Sequence, residues 1–351
     1  MGLPQILIEF KTLAETIISR SERGIVAVIL RDNSNTTESY TYTKESDIVK
    51  SHYTAANLAF LHMIFMGNPS KVLVERIPVG GDLGQALLRL VNKQWYYLTI
   101  PQITEDEIDL VSDAIKELRT LYHRTFKAVL PNCSAGSEGI INFVTSDIKV
   151  GAKTYTTAEF CVRIAGILAG LPLNRSATYY ALPEVDSIAE TYSADDEIDM
   201  GKLILINDGT KIKIARGVNS FVEYTSEKGP DFSKIKIVEA VDMIRDDIRS
   251  TFENEFVGKV ENSYDNKIMF IAAVNKYFKD LANRGVLYDK FDNKAEIDID
   301  ATREWLSQTK DVSEWDDEKI KTANTGTNVF VKASIQIQDA IEDLSFKIYI
   351  E

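Results

Sequence analysis

Asn132-Cys133-Ser134-Ala135-Gly136 follows an apolar run, and a Ser or Cys placed after a strand can act as a nucleophile when a base stands beside it. The stretch lacks the Gly-x-Ser-x-Gly pattern and does not lead directly into a helix, so it reads as a surface turn and Cys133 and Ser134 are expected to be dispensable. Bases are scarce. The chain has 3 histidines, His52, His62 and His123, all in segments that read as helical, and structural roles are expected for them. His52 and His62 are too far apart in sequence for the i,i+4 pair of a helical zinc site. Gly80-Gly81-Asp82-Leu83-Gly84 lies between a strand and a helix, where a phosphate cradle would sit. It matches neither phosphate-binding glycine motif, and Asp82 puts negative charge where phosphate would be, so a tight turn is the better reading. Asp195-Asp196-Glu197 and Asp316-Asp317-Glu318 lack calcium-loop spacing and read as solvated helix starts. These residues yield no catalytic, cofactor-binding or metal-binding constellation, and no enzyme is expected.

Composition narrows the class further. With 351 residues, 44% of them hydrophobic, the chain can bury a sizeable core in two or three domains. A net charge of -13 repels phosphate and anionic lipid, and no local basic patch offsets it, so neither a nucleic-acid partner nor membrane binding is expected. Cys133 and Cys161 form no metal-ligand or Cys-x-x-Cys spacing and read as buried reduced thiols, which fits a cytoplasmic compartment. No charged-then-apolar leader opens the chain and no apolar run approaches the ~20 residues that span a bilayer. A soluble protein not exported by a signal peptide is expected.

The elements that would position any site alternate in kind. A helical turn around Leu13–Ile18 leads to Gly24–Leu30, a continuous apolar run of the sort buried on both faces of a parallel sheet. A helix over Ser51–Met66, a strand over Lys71–Ile77, a helix over Leu83–Asn92 and a strand over Trp95–Ile100 follow. Next come a helix over Glu105–His123, strands over Phe126–Leu130 and Ile140–Val144, and a helix from Thr157 that stops before Pro172. Alternation of this kind specifies a layered α/β domain. Short strands over Leu203–Ile206 and Lys211–Ala215 flank an Asp208-Gly209 hairpin signal. The boundary falls at Ser226-Glu227-Lys228-Gly229-Pro230. Beyond it, helices over Lys236–Phe256, Lys267–Arg284 and Thr302–Ser307 and two last strands read as an α+β domain.

Both ends of the chain carry strand pattern. Ile6, Ile8 and Phe10 share a face with Leu7 between them, and Leu344, Phe346, Ile348 and Ile350 share another. Val331, Ala333, Ile335 and Ile337 alternate with polar residues in the preceding strand. Such terminal strands must hide an apolar stripe and a row of backbone donors and acceptors, and a neighbouring copy of the chain is a natural place to do so.

Several stretches carry a resemblance. They are Glu138-Gly139-Ile140-Ile141-Asn142-Phe143; Ala165-Gly166-Ile167-Leu168-Ala169-Gly170-Leu171-Pro172 with Ser176 and Thr178 after it; Arg216-Gly217-Val218-Asn219-Ser220; Phe232-Ser233-Lys234-Ile235-Lys236-Ile237-Val238; and Val257-Gly258-Lys259-Val260-Glu261-Asn262-Ser263-Tyr264. In this order, over residues 125–285, the chain resembles the tail sheath proteins of contractile phage tails. The nearest form is the short one of Gram-positive prophages and R-type bacteriocins of the clostridial diffocin kind.

The resemblance implies a non-catalytic, subtilisin-like α/β domain and an α+β C-terminal domain that packs on an inner tail tube. On that reading residues 1–20 are an N-terminal strand-exchange arm, 21–230 the α/β domain, 231–342 the tube-proximal domain and 343–351 a C-terminal arm. It further implies partners in other copies of the chain, as hexameric rings stacked into a helical sheath, and in the inner tail tube, baseplate and tail terminator proteins. Assembly would occur in the cytoplasm of the producing cell, followed by life in a phage tail or a released tail-like particle. Lys276 and Lys279, opposite the apolar stripe Phe270, Val274, Tyr277 and Leu281, become candidate tube contacts. Longer relatives carry a β-sandwich insertion after the strand matching Lys71–Ile77; here only a short helix separates that strand from Trp95. The alternatives are an α/β hydrolase-like enzyme, disfavoured because no histidine stands near a motif-like Ser or Cys, and a non-contractile scaffold or adaptor.

Overall fold

A computed structural model describes residues 23–350. The expected N-terminal strand with Ile6, Leu7, Ile8 and Phe10, and the turn at Leu13–Ile18, lie outside the described residues. Those described divide into two compact units. One, the α/β unit, runs to Met243 and takes up again at Asp339; the other, the C-terminal unit, is Ile244–Gln338.

The α/β unit opens with β1 (Ile25–Arg31), β2 (Ser39–Tyr42), α1 (Ala55–Phe65), β3 (Lys71–Ile77), α2 (Leu83–Val91), β4 (Tyr97–Thr99), α3 (Glu105–Thr120), β5 (Lys127–Pro131) and β6 (Ile140–Phe143). A small hairpin of β7 (Ile148–Val150) and β8 (Lys153–Tyr155) precedes α4 (Thr157–Gly170) and α5 (Ala194–Asp199). Then come β9 (Lys202–Leu203), β10 (Leu205–Asn207), β11 (Ile212–Ile214) and the first part of α6 (Ile235–Glu255). Seven strands form one sheet in the order β2-β3-β1-β4-β5-β6-β9. Every adjacent pair is parallel except β2–β3 at the edge. β1 is central, with Ile25 opposite Lys71 and Val26 opposite Tyr97, and Val26 to Leu30 are wholly buried. A strand covered on both faces needs no polar alternation, which is why this run is continuously apolar.

Capping chemistry sets several helix starts. Thr104 and Glu107 form a capping box on α3, Thr156 and Glu159 another on α4, and Thr54 accepts from the Asn57 amide to start α1. α1 therefore begins at Ala55 rather than Ser51; residues Lys50–His52 form a separate 3-10 turn. α4 packs on β1, β4 and β5 with α1 beside it. A side chain at Gly166 would overlap the Ile64 carbonyl of α1, and one at Gly170 the Gly67 carbonyl, so the two helices meet backbone to backbone.

Charge also holds the layers together. Glu239 of α6 accepts from the Tyr97 hydroxyl (2.6 Å), Lys127 Nζ (2.8 Å) and Arg23 (3.1 Å). One helical turn on, Asp242 accepts from Lys127 (2.9 Å) and from both terminal nitrogens of Arg119 (3.0 and 3.1 Å). Arg119 also meets Glu138, which pairs with Lys228 at 2.7 Å. Burial works to raise both acids, but Lys127, with Arg23 beside Glu239 and Arg119 beside Asp242, holds them below the ordinary carboxylate range.

The C-terminal unit holds the rest of α6, then α7 (Tyr264–Asn283), β12 (Lys294–Ile297), α8 (Ile299–Ser307), α9 (Asp317–Thr322) and β13 (Val331–Ser334). Phe252, Phe256 and Phe270 cluster with ring centroids 5.1 to 5.9 Å apart. β12 and β13 pair antiparallel as a two-stranded sheet, Ala295 opposite Ala333.

Candidate assembly surfaces

The residues weighed for chemistry are scattered over separate turns and helices. Ser134 is exposed and accepts a hydrogen bond from Asn142 (3.1 Å), in a turn where Asn132 takes φ 50°. Cys133 and Cys161 are buried free thiols, and burial pushes the pKa of each above the ordinary thiol range, so both are weaker acids than a free cysteine. His62 pairs with Glu45 (2.7 Å) in solvent. His52 lies in the 3-10 turn against Tyr40, and His123 sits beyond the end of α3 at φ 51°. The helical placement read for these two is therefore corrected: Thr54 starts α1 after His52, and α3 ends at Thr120 before His123 reaches a left-handed turn. Asp82 caps α2 through the Gly84 amide (2.9 Å), which makes the glycine stretch a tight turn. Among the described residues no group of three or more His, Cys, Asp or Glu is arranged to hold a metal ion.

Among the described residues, 341–350 hold the densest run of exposed apolar side chains. Ile341, Leu344, Phe346, Ile348, Tyr349 and Ile350 are between 73% and 98% exposed. Residues 344–350 form no strand, because a strand exists only against a partner edge and none among the described residues pairs with them. The root of this segment is held. Lys234 donates to Asp339 (2.5 Å), Thr178 to Glu342 (2.8 Å), and Arg216 reaches Glu342 (3.3 Å) and Asp343 (2.6 Å). The bond to Asp339 pushes Lys234 above its ordinary basicity, as the bond to Asp343 does for Arg216. Burial alone would raise Asp339; Lys234 instead holds it below the ordinary carboxylate range. Thr178 is itself oriented by Ser176 (3.0 Å) and by the Gly217 amide (3.0 Å). Sequence reasoning quoted Ser176, Thr178, Arg216 and Lys234 within motifs without giving them a task. The signal was the acidic run Asp339, Glu342, Asp343 set directly before the apolar alternation.

In the C-terminal unit, β13 has one edge that no strand among the described residues pairs with. It carries Val331 and Ala333; Ile335 and Ile337 follow it, half-buried, with Ile337 bridging to Leu287. Beside β13 lies a groove of about 400 Å³ with an apolar floor of Phe252, Phe270, Val274 and Val329 and a basic rim of Arg245, Arg249 and Lys332. Phe270, Val274, Tyr277 and Leu281 are buried on α7, and Lys276 and Lys279 are exposed on its other side. The structure thus puts β13 and the two lysines in one compact unit and residues 344–350 in the other.

Comparison with known proteins agrees with this architecture. A family model described as the phage tail sheath C-terminal domain matches residues 227–351. The tail sheath protein of Clostridium phage phiCD119 is 36% identical over 358 aligned residues, covering 99% of each chain. Among solved structures, the sheath tail protein of Listeria innocua superposes with a TM-score of 0.72 at 14% identity, over 92% of this chain and 94% of that one. The anti-feeding prophage helical sheath in its contracted state gives 0.71 at 13% identity over the whole of both chains. The fold is shared at these low identities, and the full-length 36% match carries the kinship: the chain belongs to the phage tail sheath protein family, whose members are structural rather than enzymatic.

Proposed function

We propose that the chain polymerises as stacked hexameric rings around an inner tube and contracts to drive that tube through a target cell envelope. The observation that carries this reading is the row of exposed apolar side chains at Leu344, Phe346, Ile348 and Ile350, alternating along a segment that ends its contacts at Asp343. The open edge of β13 on a neighbouring copy is its receiver, and the apolar floor of the adjacent groove suits the apolar side chains of the arm. Ile6 to Phe10 form the second arm. Each large side chain buried in this way contributes ~1.5 to 3 kcal/mol, against ~1 to 2 kcal/mol per residue of ordering entropy, so the arm is stable only when most of it docks. On this reading the α/β unit is the subtilisin-like, non-catalytic body. Baseplate and terminator proteins bound the stack, the exposed lysines of α7 face the tube, and assembly occurs in the producing cell before incorporation in a phage tail or tail-like particle. Deleting residues 344–351 tests it. The truncated chain should remain folded by circular dichroism and form no tubes under negative-stain microscopy; normal tubes from the truncated chain would reject the arm as the link.

A further inference from the structure

We propose that Arg216, Lys234 and Thr178 form a clamp on Asp339, Glu342 and Asp343 that fixes the point and direction from which the C-terminal arm leaves its own α/β unit. The proposal rests on the sheath reading above and assigns positioning residues that act on the arm without belonging to it.

The geometry supports a positioning role more than a stabilising one. Arg216 Nε lies 3.3 Å from Glu342 and its Nη2 lies 2.6 and 2.7 Å from the two oxygens of Asp343. Successive side chains of an extended chain point to opposite sides, so one guanidinium that grips two consecutive carboxylates constrains the path of the backbone between them. Lys234 holds Asp339 at the other end of the same stretch, and Thr178 gives Glu342 a second, directional contact. Thr178 is built for this. Its Oγ1 accepts from the Gly217 amide and contacts Ser176 Oγ while donating to Glu342, so its orientation is set before the tail arrives. The side chains of Arg216 and Asp343 are 37% and 84% exposed, and solvent-screened pairs of this kind contribute too little to matter for the fold of the unit. Asp339, Ala340 and Glu342 are half-buried with Ile341 turned to solvent between them, whereas every residue from Asp343 to Ile350 is exposed.

The advantage is a shorter tether. Releasing the root frees residues 339–343 as well as the apolar segment, and since effective concentration falls as roughly the −3/2 power of tether length, the longer tether alone lowers it about twofold. Loss of the fixed exit direction lowers it further.

Because Cys133 and Cys161 are buried, a nitroxide on Ser345→Cys reports on the segment just beyond the clamp. In the unassembled full chain its spectrum should show a slow component. Arg216→Glu with Lys234→Glu should abolish that component, and adding Asp339→Lys, Glu342→Lys and Asp343→Lys should restore it. Asp339→Asn with Asp343→Asn, which leaves the receiving surface intact, should abolish it too. In the same variants without the label, tube growth should slow when the clamp is broken and recover with the charge swap. An unchanged spectrum in the broken clamps overturns the proposal, as does tube growth at the wild-type rate once the slow component is gone. If the spectra behave as expected while even the wild-type chain forms no tubes, the clamp stands and the sheath reading fails.

Discussion

Asp242 is a carboxylate buried between two cations. It sits between Lys127 and Arg119, all three buried, and Lys127 also serves Glu239. Removing one member of such a set leaves its partners uncompensated, which costs about 3 to 5 kcal/mol, whereas a buried pair as such adds little over an apolar equivalent. Asp242→Ala should therefore lower the stability of the α/β unit by that amount in chemical denaturation. Lys127→Met, which leaves Asp242 with Arg119 alone, should also destabilise, and the two changes together should cost less than their sum. The pH dependence follows from the direction of the shifts. The folded carboxyls of Asp242 and Glu239 lie below their unfolded values, so the folded state binds fewer protons than the unfolded one in acid. Their contribution is complete above the ordinary carboxylate range, near pH 4, and is lost as pH falls through it towards the folded values. Denaturation midpoints should drop between about pH 5 and 3 in the wild type and less steeply in Asp242→Ala.

At the scale of elements, the contact of α1 with α4 depends on absent side chains. Gly166→Val would drive two methyl groups into the Ile64 carbonyl, and overpacking of this kind costs about 1 to 3 kcal/mol; thermal melting of the purified chain should show the loss, and Gly166→Ala a smaller one. The sequence displayed this glycine in its Ala165–Pro172 run but not what it touched. Elements with a strong period or a cap were legible: β3 spans Lys71–Ile77 as read, α2 and α4 agree to within a residue, and Asp208-Gly209 turns between β10 and β11 with Gly209 at φ 85°. Short strands that owe their existence to a neighbour were not. Leu203–Ile206 looked like one strand but splits, β9 joining β6 in the large sheet and β10 joining β11. β2 and β12 went unread because Ser39–Tyr42 and Lys294–Ile297 are four residues long with few apolar side chains, and only pairing with β3 and β13 makes them strands. The assembly surfaces divide likewise: the apolar alternation of the tail was visible, while the clamp was not, since Thr178, Arg216 and Lys234 meet the tail only through folding.

For the whole molecule, a net charge of -13 makes the exposed lysines of α7 stand out as a means of meeting an acidic partner. Lys276→Glu with Lys279→Glu should leave the fold intact and reduce co-sedimentation of sheath with tubes, more strongly at low salt than at high. Unchanged co-sedimentation would return both residues to an ordinary solvated face. The bare tail has a further consequence for a chain that has not yet found its neighbours. Leu344, Phe346 and Tyr349 are the kinds of side chain that chymotrypsin-like proteases accept before the cut, and they lie on exposed backbone without secondary structure. One cleavage there shortens the chain by a few residues and disturbs no core. Chymotrypsin added to the unassembled chain should therefore cut first at these positions, removing only the last few residues, and mass spectrometry of the product checks this.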